Sequence, residues 1–266
     1  MNRIALLIPH YNNLDALRSS LQSIHPEDPA DIVVVDDGSE RAPTEPLIRN
    51  WSTGHREIHL IRLSTNAGIE AALNAGLDFI TSSGYELVAR LDCGDRNVGM
   101  RFTKQMRFLD AHPDTVLLGG AAQFVDMEGN ELFVRTMPTE HAQVAHFMRS
   151  NNAFMHPTVM FRTSVLPIVG HYPDDYPAAE DYAFFWLFLK AGRVANLADV
   201  LITYEVDPGS ISRGKRSTQL RSRLAVQQLH SDGSLRSRKG ILRTRVLLAS
   251  PVHLVDRVKA RMYAQP

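Results

Sequence analysis

Three groups of polar and acidic residues each follow a short apolar segment in this chain. They are Pro9-His10-Tyr11-Asn12, Asp36-Asp37-Gly38-Ser39 and Asp92-Cys93-Gly94-Asp95. Carboxylates accept hydrogen bonds from a pyrimidine ring N–H and from ribose hydroxyls, and they bind hard divalent cations. Asp, Gly and Asn also make ordinary turns, so one such group alone would indicate little. Three of them in the same setting predict a ligand site.

A pair of acids, Glu180 and Asp181, begins a segment that is rich in aromatic residues and has helical spacing. A carboxylate in such a position can take the proton of an attacking hydroxyl group. Acids also favour the first turn of a helix on electrostatic grounds alone, so a capping role stays open. The pattern predicts a helix over 180–191 with Gly192 as its C-cap.

The elements that position these residues alternate between strands and helices, which predicts βαβ units and a parallel sheet covered on both faces. Ligands of open α/β sheets bind outside the carboxyl ends of the strands, so the three polar groups should meet at one edge. The predicted strands are Ile4–Ile8, Ile32–Val35, Ile58–Leu63, Glu86–Leu91, Thr158–Phe161 and Val200–Val206, with a hairpin of Val116–Val125 and Leu132–Val134 and early helices after Asn13 and over Ile69–Ile80.

The composition indicates a folded α/β protein, because 44% of the 266 residues are apolar. The only cysteine is Cys93, so no disulfide forms within the chain, as suits a reducing cytoplasm. The N-terminal apolar run is too short for a signal peptide, and no apolar run approaches the roughly 20 residues that span a bilayer. These features predict a cytoplasmic protein, either soluble or peripheral on the inner face of the membrane.

Seven motifs together resemble the family 2 glycosyltransferases. In the family's order, across 1–213, they are LLIPHYNN, VVVDDGS, NAGIEAALNAG, ARLDCGD, HPTVMFR, the Glu180-Asp181 pair and YEVDPGSISR. The resemblance implies a GT-A fold, which is Rossmann-like with a mixed, mostly parallel sheet flanked by helices. It also implies inverting transfer of a sugar from a UDP- or dTDP-sugar to a glycan or lipid-linked acceptor, in cell-surface polysaccharide or lipopolysaccharide assembly.

The resemblance also assigns roles to residues of this chain. Asp37 would accept from the base, Asp92 would contact the ribose or the metal-bound phosphate, and Asp181, or else Glu180, would be the catalytic base. His156 would face the acceptor, although a lone histidine is as often structural. The residues expected to bind the donor nucleotide are Pro9, Tyr11, Asp36, Asp37, Asn66, Gly68, Arg90 and Asp92.

A divalent cation, Mg²⁺ or Mn²⁺, is implied as cofactor, but this chain departs from the family at its usual ligands. The second acid of the family's D-x-D-D pattern holds the metal, and Gly94 stands there. A histidine common in the family's last motif is replaced by Asp207. The expected metal ligands are therefore Asp92, Asp95 and Asp207, because aspartate is a good ligand for a hard cation.

The C-terminal segment 214–266 is predicted as a basic helical extension of a catalytic domain over 1–213, whose donor half is about 1–98 and acceptor half about 99–213. Residues 213–266 hold 13 Lys and Arg against 2 Asp and Glu, whereas the rest of the chain is acidic. Helices are expected near 215–230 and 241–263. Such helices can bind an anionic membrane surface or pack on the domain with a basic face in water. No nucleic-acid motif accompanies the charge.

Two other function classes remain open on the sequence alone. A sugar nucleotidyltransferase usually opens with a Gly-rich basic phosphate loop, which PHYNN lacks. A non-catalytic nucleotide-sugar binding module is favoured by Gly94, which stands where the family has a metal-binding acid. The intact Glu180-Asp181 pair argues against it.

Overall fold

The computed structural model describes residues 2–206 and 216–250. Within these residues, the strands are β1 Ile4–His10, β2 Ala30–Asp36, β3 Ile58–Arg62, β4 Leu87–Arg90, β5 Arg96–Asn97, β6 Thr115–Val125, β7 Glu131–Arg135, β8 Met160–Arg162 and β9 Arg193–Glu205. The helices are α1 Leu14–Gln22, α2 Glu45–Trp51, α3 Ile69–Ser82, α4 Arg101–Ala111, α5 His141–Met148, α6 Leu166–Val169, α7 Glu180–Ala191, α8 Arg216–Leu229 and α9 Leu235–Ala249. Short 3₁₀ turns cover His156–Thr158 and Thr163–Val165.

The strands form one mixed sheet in the order β3-β2-β1-β4-β8-β6-β9-β5, with β7 paired to β6. The first four strands in that order are parallel, as the βαβ pattern predicts, and β8 joins them antiparallel to β4. The carboxyl ends of β1, β2 and β4 therefore meet at one edge, which confirms the predicted position of the three polar groups.

Side chains of the central strands alternate between two apolar cores. In β1, Ile4, Leu6 and Ile8 face the core on the α1 side, whereas Ala5 and Leu7 face the core that holds α3 and α7. Burial on both faces explains why these strands are continuously apolar.

Several details differ from the sequence-based expectations. The predicted strand Thr158–Phe161 begins only at Met160, because Thr158 lies in a 3₁₀ turn. Gly192 has a φ of 173°, which is extended backbone rather than a left-handed C-cap. The glycine is needed for packing instead, because a Cβ there would lie 2.7 Å from Cγ1 of Val116. The last strand also begins at Arg193, directly after α7, well before the predicted Val200.

Helices α8 and α9 form an antiparallel hairpin that packs on the rest of the protein. Val226 of α8 is fully buried in the same core as α7, and the indole of Trp186 stacks on the His230 ring with centroids 4.5 Å apart. The first predicted C-terminal helix, near 215–230, is confirmed, whereas the second runs over Leu235–Ala249 instead of 241–263. Residues 251–266 lie outside the described residues. None of the helices in 2–206 and 216–250 is long and apolar enough to cross a membrane.

Candidate active site

The end of β1 is fixed to the end of β2 by a buried pair, His10 and Asp36. Nδ1 of His10 lies 2.8 Å from Oδ1 of Asp36, and Nε2 accepts from the backbone N–H of Asn13. Because Nε2 accepts, the proton is on Nδ1 and points at the carboxylate. The Ser39 hydroxyl also donates to Asp36, which is fully buried. The geometry therefore favours a role for Asp36 in holding this loop rather than in touching the nucleotide.

Asp37 joins the β2 loop to the start of α3. Its two carboxylate oxygens accept from the backbone N–H groups of Ala67 and Gly68 at 2.8 and 3.0 Å. Gly38 has a φ of +67°, and a Cβ there would lie 2.4 Å from the backbone of Thr65, so only glycine permits this approach. The binding of the nucleotide base by Asp37 stays a prediction, because this carboxylate already holds the 65–68 loop.

Pro9, Tyr11 and Asn66 surround the same edge of the sheet. The side chain of Tyr11 is 47% exposed, Asn66 is exposed, and Pro9 is partly buried. An exposed tyrosine ring beside a polar loop can stack on a base. The predicted contacts of these three residues with the donor remain predictions.

Arg90 orients Asp92 from behind. The guanidinium is fully buried and donates from Nη2 to Oδ1 of Asp92 at 2.6 Å and from Nη1 to the Leu7 carbonyl at 2.7 Å. The Asp92 side chain keeps 34% exposure, and its Oδ2 has no hydrogen-bond partner among the described residues. Asp92 is thus the group of this pair that can touch a ligand, and Arg90 acts through it.

His156 belongs to the same buried network. Its Nε2 accepts from Nε of Arg90 at 3.3 Å and from the Tyr172 hydroxyl at 2.9 Å. Burial, and then the charge of Arg90, lower its pKa well below the usual range, so the ring is neutral. Asn74 of α3 holds the Tyr172 backbone with hydrogen bonds to its N–H and carbonyl. The geometry favours positioning of Arg90 by His156 over the predicted acceptor contact.

The loop from Asp92 to Asp95 is held by α1. The Ser20 hydroxyl accepts from the N–H of Gly94 at 2.9 Å. Gly94 has a φ of +107°, and a Cβ there would meet only Ala16 at 3.7 Å. Backbone strain therefore disfavours a carboxylate at this position, although there is room for one.

Asp95 is a buried acid with an unsatisfied oxygen. Its side chain is 5% exposed, and Oδ2 has no partner within the described residues. Burial, and then the charge of Asp92, raise its pKa well above the usual range. A cation would satisfy such an atom, but no group of three His, Cys, Asp or Glu side chains in 2–206 and 216–250 could hold a metal. The predicted ligand Asp207 lies outside the described residues, so these residues supply only part of a metal site.

Glu180 and Asp181 lie in the first turn of α7 and face the charge of Asp92. Burial, and then the charge of Asp181, raise the pKa of Glu180 to about 8, and its Oε2 is buried without a partner among the described residues. Burial also raises the pKa of Asp181 to about 6, while a hydrogen bond from the Tyr182 N–H lowers it. Two carboxyls whose pKa values lie on either side of neutrality are typical of a proton-transferring site.

The C-terminal hairpin is connected to Asp181 through one turn. The Ser150 carbonyl accepts from Gln227 at 2.7 Å and from Arg223 at 3.2 Å, and its hydroxyl accepts from Arg236 at 2.8 Å. Two residues later, Asn152 donates to Oδ2 of Asp181 at 2.8 Å. Helices α8 and α9 therefore hold the turn that contacts the candidate base.

Several positioning residues were missed by sequence reasoning. Lone polar residues such as Asn74, Asn152 and Tyr172 have no motif of their own. Tyr172 is 98 residues from Asn74 in sequence, so only the folded chain reveals their contact. His10 was visible in PHYNN, but nothing in the pattern showed that it pairs with Asp36.

Comparison with protein families gives one match that covers most of the chain. The family model described as "Glycosyl transferase family 2" matches residues 5–166. The amylovoran biosynthesis glycosyltransferase AmsE of Erwinia amylovora is 29% identical over 230 residues, covering 85% of this chain and 84% of AmsE. An uncharacterized glycosyltransferase of Haemophilus influenzae is 32% identical over 213 residues, covering 76% of this chain and 77% of that protein.

Solved structures with the same fold include those of PcManGT and TarS. The mannosyltransferase PcManGT of Pyrobaculum calidifontis, in complex with GDP-Man and Mn²⁺, aligns with a TM-score of 0.63 and 19% identity over 93% of this chain and 70% of its own. S. aureus TarS aligns with a TM-score of 0.60 and 21% identity over 87% of this chain and 40% of TarS. The predicted GT-A fold is therefore confirmed.

Proposed function

The chain belongs to glycosyl transferase family 2, and from that membership we propose that it transfers a sugar from a UDP- or dTDP-sugar to a glycan or lipid-linked acceptor with inversion. The observation that supports this most is the Glu180-Asp181 pair, whose pKa values are raised by burial and, to a smaller extent, by the charge of Asp92. A donor on Asp92 would therefore lie near a group that can take a proton. AmsE, by its name, acts in biosynthesis of the polysaccharide amylovoran, which supports a role in cell-surface polysaccharide assembly.

Donor binding would use the edge formed by β1, β2 and β4. Arg90 and His156 would fix Asp92 so that its Oδ2, which has no partner among the described residues, accepts from a ribose hydroxyl. Tyr11 would stack beside the base, while Asp37 keeps the 65–68 loop against the nucleotide. None of these side chains forms a covalent bond to the donor, because each only binds and orients it.

The transfer step is a single displacement. The acceptor oxygen forms a bond to the anomeric carbon as the bond from that carbon to the diphosphate breaks, and the electron pair leaves with the diphosphate. The acceptor proton goes to a carboxylate oxygen of Asp181 from the side opposite the leaving group. Glu180, with the higher pKa, keeps its proton near neutral pH and can donate a hydrogen bond to the substrate.

A divalent cation would bind Asp92 and Asp95, with Asp207 as a further ligand, and would offset the negative charge on the departing diphosphate. The test is donor hydrolysis with Mg²⁺ or Mn²⁺ after chelation, in the wild type, Asp95→Asn and Asp207→Ala. The proposed ligands require the two variants to need more cation than the wild type. Unchanged metal dependence in both variants contradicts this ligand set.

A sharp test of the function begins with a donor panel. Thermal stabilisation by UDP-, dTDP- and GDP-sugars identifies the donor, since a bound ligand shifts stability by mass action. The selected donor is then incubated with glycan and lipid-linked acceptors. We expect release of nucleoside diphosphate and a product of opposite anomeric configuration by NMR. Retained configuration would overturn the inverting mechanism, and release of pyrophosphate would indicate a nucleotidyltransferase.

A non-catalytic nucleotide-sugar binding module is the second candidate, because Gly94 replaces the family's metal-binding acid. In that case a donor would stabilise the protein, but no nucleoside diphosphate would be released with any acceptor. The buried carboxyl of Glu180, whose Oε2 has no partner among the described residues, favours the enzyme, since a binding module gains nothing from such a costly group.

A further inference from the structure

Helix α9 has an unusual distribution of side chains. The face that packs on the domain consists of small residues, Ser237, Gly240 and Thr244, all fully buried or nearly so. Gly240 lies so close to the 150 turn that a Cβ would be 2.6 Å from Cα of Ser150. Three of the larger apolar side chains, Leu235, Leu242 and Val246, are exposed, while Ile241, Leu247 and Leu248 are partly buried. The apolar residues are therefore not gathered on the packed face, as they are in an ordinary amphipathic surface helix.

The outward face combines exposed aliphatic and cationic side chains. Leu235 is 75% exposed, Leu242 62% and Val246 55%, and their spacing places them along one side of the helix. Leu229, at the end of α8, is exposed next to the hairpin loop. The cationic residues of this face are Arg238, Lys239, Arg243 and Arg245, all exposed.

The charge of this face is not compensated within the described part of the chain. Helix α9 contains no acidic residue, and none of its four outward cations forms an ion pair with the residues in 2–206 or 216–250. Asp232, the acid that precedes the helix in the sequence, pairs with Arg149. The outward face of α9 thus carries cations and exposed aliphatic side chains that have neither acidic nor apolar partners among the described residues.

We propose that the outward face of α9 docks on an anionic membrane surface. An interfacial helix buries aliphatic side chains at the headgroup boundary while its Lys and Arg residues contact anionic lipid, and this face has both kinds of group. Nucleic acid would explain the cations but not the exposed leucines. The small-residue face leaves the catalytic domain firmly attached to the docked helix. The proposal concerns the location of the protein and does not require the transfer reaction.

Vesicle flotation of the full-length chain tests the proposal. Vesicles contain either phosphatidylcholine alone or phosphatidylcholine with phosphatidylglycerol. We expect the chain to float with the anionic vesicles only, and to bind less as salt rises. Flotation with neither vesicle, or equally with both, overturns the proposal. Binding of a single-stranded oligonucleotide in place of anionic vesicles at the same salt also overturns it.

Two variants separate the contributions of the face. L235Q/L242Q/V246N removes the aliphatic groups, and R238Q/R243Q/R245Q removes three cations. Each should weaken binding to anionic vesicles by at least about tenfold. The control R18Q/R49Q/R107Q makes the same change in net charge at exposed positions of the catalytic domain and should bind as the wild type does.

Circular dichroism and thermal stabilisation by the donor show that each variant is folded, independently of lipid. If both α9 variants float as the wild type does, the proposal is wrong. It is also wrong if the wild type is a dimer by light scattering that the α9 variants make monomeric, since the face would then join two copies.

Discussion

Nδ2 of Asn152 donates a hydrogen bond to Oδ2 of Asp181 across 2.8 Å. This bond joins the candidate base to the turn at Ser150, which the C-terminal hairpin holds with three hydrogen bonds. The Asp181 carboxylate is therefore positioned from two sides, by the first turn of α7 and by a loop distant in sequence.

Asp181→Asn should lower the rate of sugar transfer by about 10³-fold, because a positioned general base contributes about 10² to 10⁴. Donor affinity should change little, since the Asp181 side chain is not among the groups proposed to hold the nucleotide. Steady-state rates and donor titration calorimetry measure the two effects. Asp174→Asn, an exposed acid on the preceding loop, is the control. Full activity in Asp181→Asn with loss in Glu180→Gln would assign the base to Glu180.

Asn152→Ala should move the acidic limb of the pH–rate profile to higher pH. The Asn152 hydrogen bond lowers the pKa of Asp181, so its loss raises that pKa, and a base works only when deprotonated. A hydrogen bond to a charged group contributes about 1.5–3 kcal/mol, which corresponds to about one to two pH units.

The profile of kcat against pH measures this shift, and Asn151→Ala is the matched control on the same turn. A uniform fall in kcat with an unmoved profile would indicate that Asn152 is merely structural.

Glu180→Gln should stabilise the fold at pH 8 and not at pH 5. The folded-state pKa of Glu180 is raised from 4.5 to about 8, so its stabilising contribution is complete below pH 4.5 and is lost as pH rises to about 8. Glutamine does not ionise in the unfolded chain, so it removes this loss of stability, which is about 4 kcal/mol at pH 8 for the stated rise in pKa.

Urea unfolding at the two pH values gives the free energies of unfolding. Glu140→Gln, an exposed acid, should show no such difference between them. Equal effects of Glu180→Gln at both pH values would mean that Glu180 is ionised in the folded state throughout.

Asp92→Asn should weaken donor binding by about tenfold or more, because the buried Arg90 loses the carboxylate to which it donates. The loss is measured as a smaller thermal shift at fixed donor concentration. Asp15→Asn, an exposed acid at the start of α1, should bind the donor normally. Unaltered binding by Asp92→Asn would place the nucleotide elsewhere on the sheet edge.

The donor half could be predicted from the sequence because its signals are local. An apolar strand followed by acids and a glycine indicates both the element and the edge where it ends, as for Asp37 and Gly38. The role of Asp36 could not be predicted in this way, since its partner His10 is 26 residues away in sequence. The same holds for Asn152, which is 29 residues from Asp181.

The C-terminal segment shows where patterning alone is insufficient. Apolar residues at helical spacing normally mark the buried face, so the pattern of the expected helix over 241–263 allowed either packing on the domain or membrane binding without deciding between them. The structure buries Ser237, Gly240 and Thr244 instead, because the backbone of α9 approaches the 150 turn too closely for larger side chains. Such close contact depends on tertiary geometry that no local sequence signal contains.

Gly240→Ala should therefore destabilise the protein, although alanine favours a helix over glycine by about 1 kcal/mol. The added Cβ would lie 2.6 Å from Cα of Ser150, a backbone atom that cannot rotate away, so the hairpin or the turn must shift. Overpacking of this kind costs about 1–3 kcal/mol, and we expect a net loss of about 1 kcal/mol in the free energy of unfolding. Ser150 and Asn152 lie in the same turn, and Asn152 donates a hydrogen bond to Asp181. A shift of this turn should therefore lower the rate of sugar transfer as well. Denaturant unfolding and transfer rates measure both, with Arg238→Ala on the outer face of α9 as control. Stabilisation of the protein by Gly240→Ala would show that α9 does not press on the 150 turn.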